Sequence, residues 1–251
     1  MAHLRRDGRG EVAELVIDRP DKRNAMSVEM WSQLPGLCAE IDADDAVKVV
    51  VVRGEGPHFC AGADISEFGA RRATPEAAEA YGEVVDAATR ALTGMRKPSI
   101  ALIRGFCIGG GSELAMACDL RFADRTASFA ITPAKLGIVF NFASTRRLVA
   151  LTSPSFASYL LYSGERVSAE HALRVGLIDR VEDADALGAA VGDFATTICS
   201  RSQVSVQGSK AIIAEIVSGA DELGEDARRL TFDAVNSADY REGVEAFLAK
   251  R

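Results

Sequence analysis

The chain has 251 residues, 48% of them hydrophobic and 26% charged, enough for one large domain with a substantial core or a domain with an appendage. Its net charge of −7 supplies no global field that would draw it to nucleic acid or anionic lipid, although a local basic pair such as Arg71–Arg72 can still meet a phosphate. No apolar run reaches membrane-spanning length, the three histidines are too scattered for a zinc cluster, and five cysteines without a Cys-x-x-Cys spacing, behind an opening that lacks an apolar region, fit a reduced, cytoplasmic compartment.

In chain order, EVAELVIDRP (11–20) alternates and then meets Pro20, which predicts a strand ending in a turn. DKRNAM is a polar loop, and Ser27 is placed to cap a helix that runs to about Asp42. VKVVVVRG (47–54) is a short apolar run closed by glycine, the pattern of a strand buried on both faces. The glycine-rich GEGPHFCAGADI (54–65) must be a shaped loop, with Asp64 capping the element after it and His58 at the surface. Pro75 opens a helix with Ala78, Tyr81, Val85, Ala88 and Leu92 at helical spacing, and Pro98 stops it.

SIALIRG (99–105) is another buried strand, and it leads into Gly109–Gly110–Gly111. DLRFAD and SFAI read as short strands, Ser153 and Ser168 as helix caps, and segments near 185–200, 203–218, 221–236 and 238–250 as helices. Strands alternate with helices and a helical region follows, so the fold class is α/β, with a core over 1–193 and a helical C-terminal region over 194–251. No strict internal repeat is present.

The triple glycine stands where a strand gives way to a helix. A helix start carries unpaired N–H groups and a partial positive charge, and glycine lets a ligand oxygen approach that backbone. The stretch therefore fits an anion or oxyanion site, and equally a close helix–strand contact. Nucleotide motifs fail: Gly111 is followed by Ser112–Glu113 rather than Lys-Ser/Thr, and Phe59 stands where a dinucleotide fingerprint needs its third glycine. The hydrolase elbow fails too, because Gly110–Gly111–Ser112–Glu113 ends in Leu114. Glu113 precedes the apolar LAMAC. A carboxylate at the edge of a core helix is costly unless it is paired or used, while the helix dipole favours it in the first turn.

At these residues the chain resembles the enoyl-CoA hydratase/isomerase, or crotonase, family. The resemblance rests on IDRPDKRNAMS (17–27), FCAGADISEF (59–68), GFCIGGGSELAMACDLRFAD (105–124), TPAKLGI (132–138), YSGERVSAEHALRVGLIDRV (162–181) and the terminal REGVEAFLAKR, in that order. It implies a spiral of ββα units, a helical region used in a homotrimer or hexamer, and an acyl-CoA thioester as substrate. Coenzyme A then arrives as part of the substrate, with no separate cofactor, metal, nucleic acid or membrane. The family's two backbone donors to the thioester oxygen fall on Ala63 and Gly110, and its first glutamate falls on Glu113. Lys22 and Arg23 fall near the nucleotide phosphates, and Ala25, Ala61, Asp64 and Ile65 fall on the loops that line coenzyme A. Phe247 and Lys250 would reach it from the last helix of the same or a neighbouring subunit.

The chain departs from the family at one catalytic position. Hydratases of the family carry a second glutamate after a proline, and in FAITPAKLGI that position is Pro133, which has no proton to transfer. Isomerisation through that glutamate is disfavoured, whereas hydration through Glu113 alone stays open. TPAKLGIVFN also resembles the methylmalonyl-CoA decarboxylase branch, but that branch's tyrosine is Phe140 here and its loop histidine is Ala63. Thr132 is then free either to bind a polar acyl group or to cap the turn at Pro133. The expected activity is enoyl-CoA hydration. A decarboxylase and a non-catalytic acyl-CoA-binding protein are the alternatives.

Overall fold

The computed structural model describes residues 3–8 and 10–250. Its main sheet has six strands, numbered in chain order: β1 (Leu4–Asp7), β2 (Val12–Ile17), β3 (Val49–Gly54), β4 (Ser99–Ile103), β6 (Leu120–Asp124) and β9 (Arg180–Glu182), which lie side by side in that order. β1 runs antiparallel to β2, and the others pair in parallel, with Val12 opposite Val49, Val50 opposite Ser99, Ile100 opposite Leu120 and Phe122 opposite Arg180. Parallel neighbours need a crossover, and helices supply it: α1 (Val28–Ala43), α2 (Phe68–Arg71), α3 (Pro75–Thr93) and α4 (Gly110–Ala117). A second sheet orders β5 (Phe106–Ile108), β7 (Ser128–Ala130) and β8 (Val167–Ser168).

The valine run shows why the central strands read as continuously apolar. Successive side chains of a strand point to opposite faces. Val50 and Val52, with Ala101 and Ile103 of β4, pack into the large core beneath α1 and α3. Val49 and Val51, with Ile100, Leu102 and Phe122, meet Leu187, Val191, Ala195 and Cys199 of α8 (Leu187–Cys199) on the other face. The boundary expected between 193 and 194 thus falls inside α8, a helix that belongs to the sheet.

α5 (Phe142–Leu151), α6 (Pro154–Ser163) and α7 (Ala169–Arg174) follow β7, and α9 (Gln203–Ser218), α10 (Glu225–Asn236) and α11 (Ala238–Leu248) form the C-terminal helical region. Capping follows the expected chemistry: Ser27 accepts from the Met30 amide, Ser153 from Phe156 and Ser168 from His171. β1, β5, β8 and β9 and helix α5 were not expected. The strands have two to four residues and no alternation long enough to signal them, and they exist because neighbouring strands pair with them.

One buried side chain fixes the loops that lead to the site. Asn24 has no exposed surface and sits at φ 59°, which asparagine tolerates better than most residues. Its Nδ2 donates to the carbonyls of Glu55 (2.9 Å) and His58 (2.6 Å), and its Oδ1 accepts from the Arg19 amide at 2.9 Å. Asn24→Gly keeps the backbone conformation accessible but leaves three backbone groups without their partner. It should cost at least about 1–3 kcal/mol in urea denaturation.

Candidate functional site

The site is built where the loop after β3 runs alongside β5. Phe59 N donates to Arg104 O (2.7 Å), Cys60 N to Phe106 O (2.8 Å), and Ile108 N returns to Cys60 O (3.0 Å). On its other side the loop is tied by Ala61 N to Arg23 O, Met26 N to Gly62 O, and Asp64 N to Met26 O. The two chains approach so closely that a Cβ on Gly111 would lie 2.3 Å from the Cys60 carbonyl oxygen. Gly109 precedes the helix at φ 54° and ψ −114°, a turn that L side chains rarely enter.

The close approach brings two amides together. A Cβ on Gly110 would lie 3.3 Å from Ala63 N, and one on Gly62 would lie 3.5 Å from Gly110 N. Among the described residues neither amide has a hydrogen-bond acceptor. Gly110 is the first residue of α4, so its N–H is one of those a helix leaves unpaired. Both residues line one cleft, with a cavity volume of about 230 Å³.

Glu113 enters that cleft from the first turn of α4 and is 8% exposed. Its Oε1 accepts two hydrogen bonds, from Asn141 Nδ2 at 2.5 Å and from Ser144 Oγ at 3.0 Å. Asn141 is also the N-cap of α5, where its Oδ1 accepts from the Ser144 amide at 2.8 Å. The start of α5 therefore grips one carboxylate oxygen. Burial pushes the Glu113 pKa up to about 7, and the charge of Asp86 adds to the rise, while the two hydrogen bonds and Arg72 oppose it.

Of the residues expected from sequence, Ala61, Ala63, Ile65, Gly110, Glu113, Thr132, Pro133 and Phe140 line this cleft. Lys22, Arg23, Ala25, Asp64, Phe247 and Lys250 are not among its walls. Lys22 and Arg23 are exposed on the loop that holds Ala61, and Ala25 and Asp64 are tied to Arg19, through the Ala25 carbonyl and an ion pair of 2.9 Å. Asp64 also caps the turn at Ile65 by accepting from Ser66. Phe247 is on α11 with 82% of its surface exposed, and Lys250 follows that helix. Thr132 does not cap the turn at Pro133, and its hydroxyl has no partner among the described residues.

One neighbour of the cleft differs from its sequence reading, and two cysteines lie beside it. His58 is half-buried rather than at the surface: its ring stacks on Phe106 at 4.4 Å, and its Nδ1 accepts from the Phe106 amide. Burial, and next the charge of Arg23, lower its pKa. Cys60 and Cys107 are free and wholly buried, and desolvation lifts the Cys60 thiol to about 12 and that of Cys107 well above its ordinary value. Both are packing residues rather than nucleophiles.

The enoyl-CoA hydratase/isomerase family model matches residues 7–251. A crotonyl-CoA hydratase of Syntrophomonas wolfei is 35% identical over 246 residues, covering 96% of this chain and 93% of that protein. The chain belongs to the enoyl-CoA hydratase/isomerase, or crotonase, family. A peroxisomal Δ(3,5)-Δ(2,4)-dienoyl-CoA isomerase of Arabidopsis thaliana is 30% identical, covering 99% of this chain and 94% of that one. The crystal structure of a putative enoyl-CoA hydratase/isomerase family protein from Hyphomonas neptunium superposes with a TM-score of 0.95 at 40% identity, covering 100% and 96% of the two chains. The fold is thus the crotonase fold, with two sheets and a C-terminal helical region, and the protein is an acyl-CoA enzyme of that superfamily.

Within that family frame, the sequence does not mark the part of the cleft wall supplied by α3 and its neighbours. Ala78, Tyr81, Gly82, Val85 and Asp86 of α3 face the cleft, together with Trp31, Phe68 and Arg72. The Arg72 guanidinium lies over the rings of Phe68 (4.7 Å) and Tyr81 (4.5 Å) instead of facing solvent as half of a basic pair. The helical spacing of Ala78, Tyr81 and Val85 was visible, but periodicity cannot separate a helix face that packs on the core from one that also lines a cleft. Asn141 and Ser144 gave no signal beyond the three-residue spacing of a cap.

The raised pKa of Glu113 has a consequence for stability. Its proton leaves the unfolded chain near pH 4.5 and the folded one near 7, so the folded protein binds the extra proton and loses stability as pH rises across that window. Glu113→Gln removes this loss and keeps an oxygen for Asn141 and Ser144. The variant should be more stable than wild type at pH 8, by up to about 3 kcal/mol, and gain much less at pH 5, as measured by denaturant titration at the two pH values.

Proposed function

We propose that the protein is an enoyl-CoA hydratase, adding water across the double bond of a short 2-enoyl-CoA. The observation that carries this reading is the pair of unpartnered amides, Ala63 and Gly110, beside a buried carboxylate in one cleft. Attack of water at Cβ pushes the π electrons through Cα onto the thioester oxygen. Two fixed N–H donors stabilise that charge more in the transition state than in the ground state, and loss of one such donor costs about 3 kcal/mol in comparable sites. The position of Gly110 at a helix start, and the partly buried cleft around both amides, raise the effect.

Water addition moves two protons, one off the water and one onto Cα. Glu113 serves the second. With a pKa near 7 it is present in both protonation states at neutral pH, which suits a group that must give a proton and recover it. The grip of Asn141 and Ser144 on Oε1 fixes the carboxyl while Oε2 takes no hydrogen bond among the described residues. Pro133 occupies the cleft wall where family hydratases carry their second glutamate, so the proton chemistry differs here from theirs.

The exposed Lys22 and Arg23, beside the loop of Ala61, fit the phosphates of coenzyme A. The C-terminal helices expose Ile213, Ile216, Phe232, Val235, Phe247 and Leu248, which a homotrimer or hexamer would cover. In such an assembly Phe247 and Lys250 would act on coenzyme A bound to a neighbouring copy.

Two measurements test the assignment. Glu113→Gln should lower hydration of crotonyl-CoA at least tenfold with its binding nearly intact, and a fully active variant rejects the role. Ser144→Ala removes a donor to the carboxylate and leaves the Asn141 cap in place. The limb that Glu113 contributes to the pH profile of kcat/KM should then move to higher pH, whereas a purely structural serine would lower the rate without moving it.

A further inference from the structure

We propose that Asp86 is the second proton-handling carboxylate of this cleft, supplied by α3 in place of the side chain that Pro133 lacks; the proposal rests on the hydratase reading above. Asp86 lines the same cleft as Glu113, Ala63 and Gly110. It sits at the end of the stripe formed by Ala78, Tyr81, Gly82 and Val85, four residues beyond Gly82, whose missing side chain leaves space in front of it.

Its Oδ1 is buried and has no hydrogen-bond partner. Among the described residues no cation lies within ion-pair distance of its carboxylate. A buried carboxylate oxygen is ordinarily paired, because leaving it unmade costs about 1–3 kcal/mol or more. Oδ2 takes no hydrogen bond among the described residues either, and a carboxylate with neither oxygen paired on the wall of a reaction cleft is placed to accept a proton from a molecule that enters it.

The surroundings support the assignment. Glu113 faces Asp86 from α4, Arg72 from the segment before α3, Tyr81 from α3 itself, and Arg147 from α5, and the charge of Asp86 reaches both Glu113 and Arg147. Arg147 also has a buried Nη1 without a partner. Neither arginine forms an ion pair within 4 Å with Asp86 or Glu113, so the cleft keeps two carboxylates ungripped by cations. The two also differ: Glu113 is held at one oxygen by two neutral donors, and the Asp86 carboxylate takes no hydrogen bond among the described residues.

The step balances with these two groups. Asp86 takes a proton from water as the water oxygen forms its bond to Cβ. The π electrons of the double bond move toward Cα and the thioester carbonyl, and the protonated Glu113 gives its proton to Cα. Asp86 then holds one proton more and Glu113 one fewer, and transfer between them through water restores the starting state. The net change is addition of H and OH.

The assignment separates from a positioning role by two reactions measured on one set of proteins. Hydration of crotonyl-CoA needs both groups, whereas exchange of the α-hydrogen of butyryl-CoA with deuterated water needs only the group at Cα. Asp86→Asn should lower hydration by about 10²-fold or more while keeping exchange within about tenfold of wild type, and Glu113→Gln should lower both. Asp86→Ala should regain part of its hydration rate on addition of formate. If Asp86→Asn hydrates like wild type, or loses hydration and exchange together, the proposal is overturned while the hydratase reading stands. If the wild type exchanges butyryl-CoA but hydrates no enoyl-CoA, both fall. Should Asp86→Asn fail to fold by thermal melting, the formate response of Asp86→Ala decides, and its absence in a folded variant overturns the proposal.

Discussion

Everything at the cleft depends on the contact between Gly111 and the carbonyl of Cys60. Only a residue without a side chain lets the start of α4 come this near to the loop after β3. The same approach sets Ala63 beside Gly110, so a packing constraint between two stretches of main chain becomes an electrostatic feature. Both readings of the triple glycine drawn from sequence, close packing and an anion site, describe one geometry: the packing produces the site.

Glu113 shows the opposite economy. It is buried at a cost, and its hydrogen bonds from Asn141 and Ser144 recover only part of that cost, which is why its pKa stays well above that of an ordinary carboxyl group. The fold tolerates the penalty because the apolar rest of α4, Leu114 to Ala117, is anchored in the large core. A residue that weakens the protein at neutral pH and stands against a reaction cleft fits a functional demand better than a structural one.

Much of this was legible in the sequence. The valine run of β3, the caps at Ser27, Ser153 and Ser168, and the turn into α4 each have a local cause, and local causes can be read along a chain. The glycine run at the start of α4 was legible in the same way as an anion site or a close contact, whereas Ala63 and Gly110 as the two donors were implied only by the resemblance to the family. The wall from α3 was not legible. Arg72 showed only as half of a basic pair and nothing in its segment marks Asp86; the two join Glu113 at one cleft only through the packing of α3 and the turn before it. Asn141 was likewise hidden, because a capping residue and a carboxylate partner look alike until the second helix is in place. The short strands β5, β8 and β9 escaped because pairing, rather than composition, makes them.

The cleft draws its two sides from different materials. The floor is backbone, and backbone amides are present whatever side chain a position carries. The wall contributed by α3 is made of side chains, which exchange one at a time without disturbing the floor. Descendants of such a chain can therefore explore new acyl groups through positions such as Ala78 and Val85 while the charge-stabilising machinery is inherited intact. That separation lets one scaffold diversify its clientele faster than its chemistry.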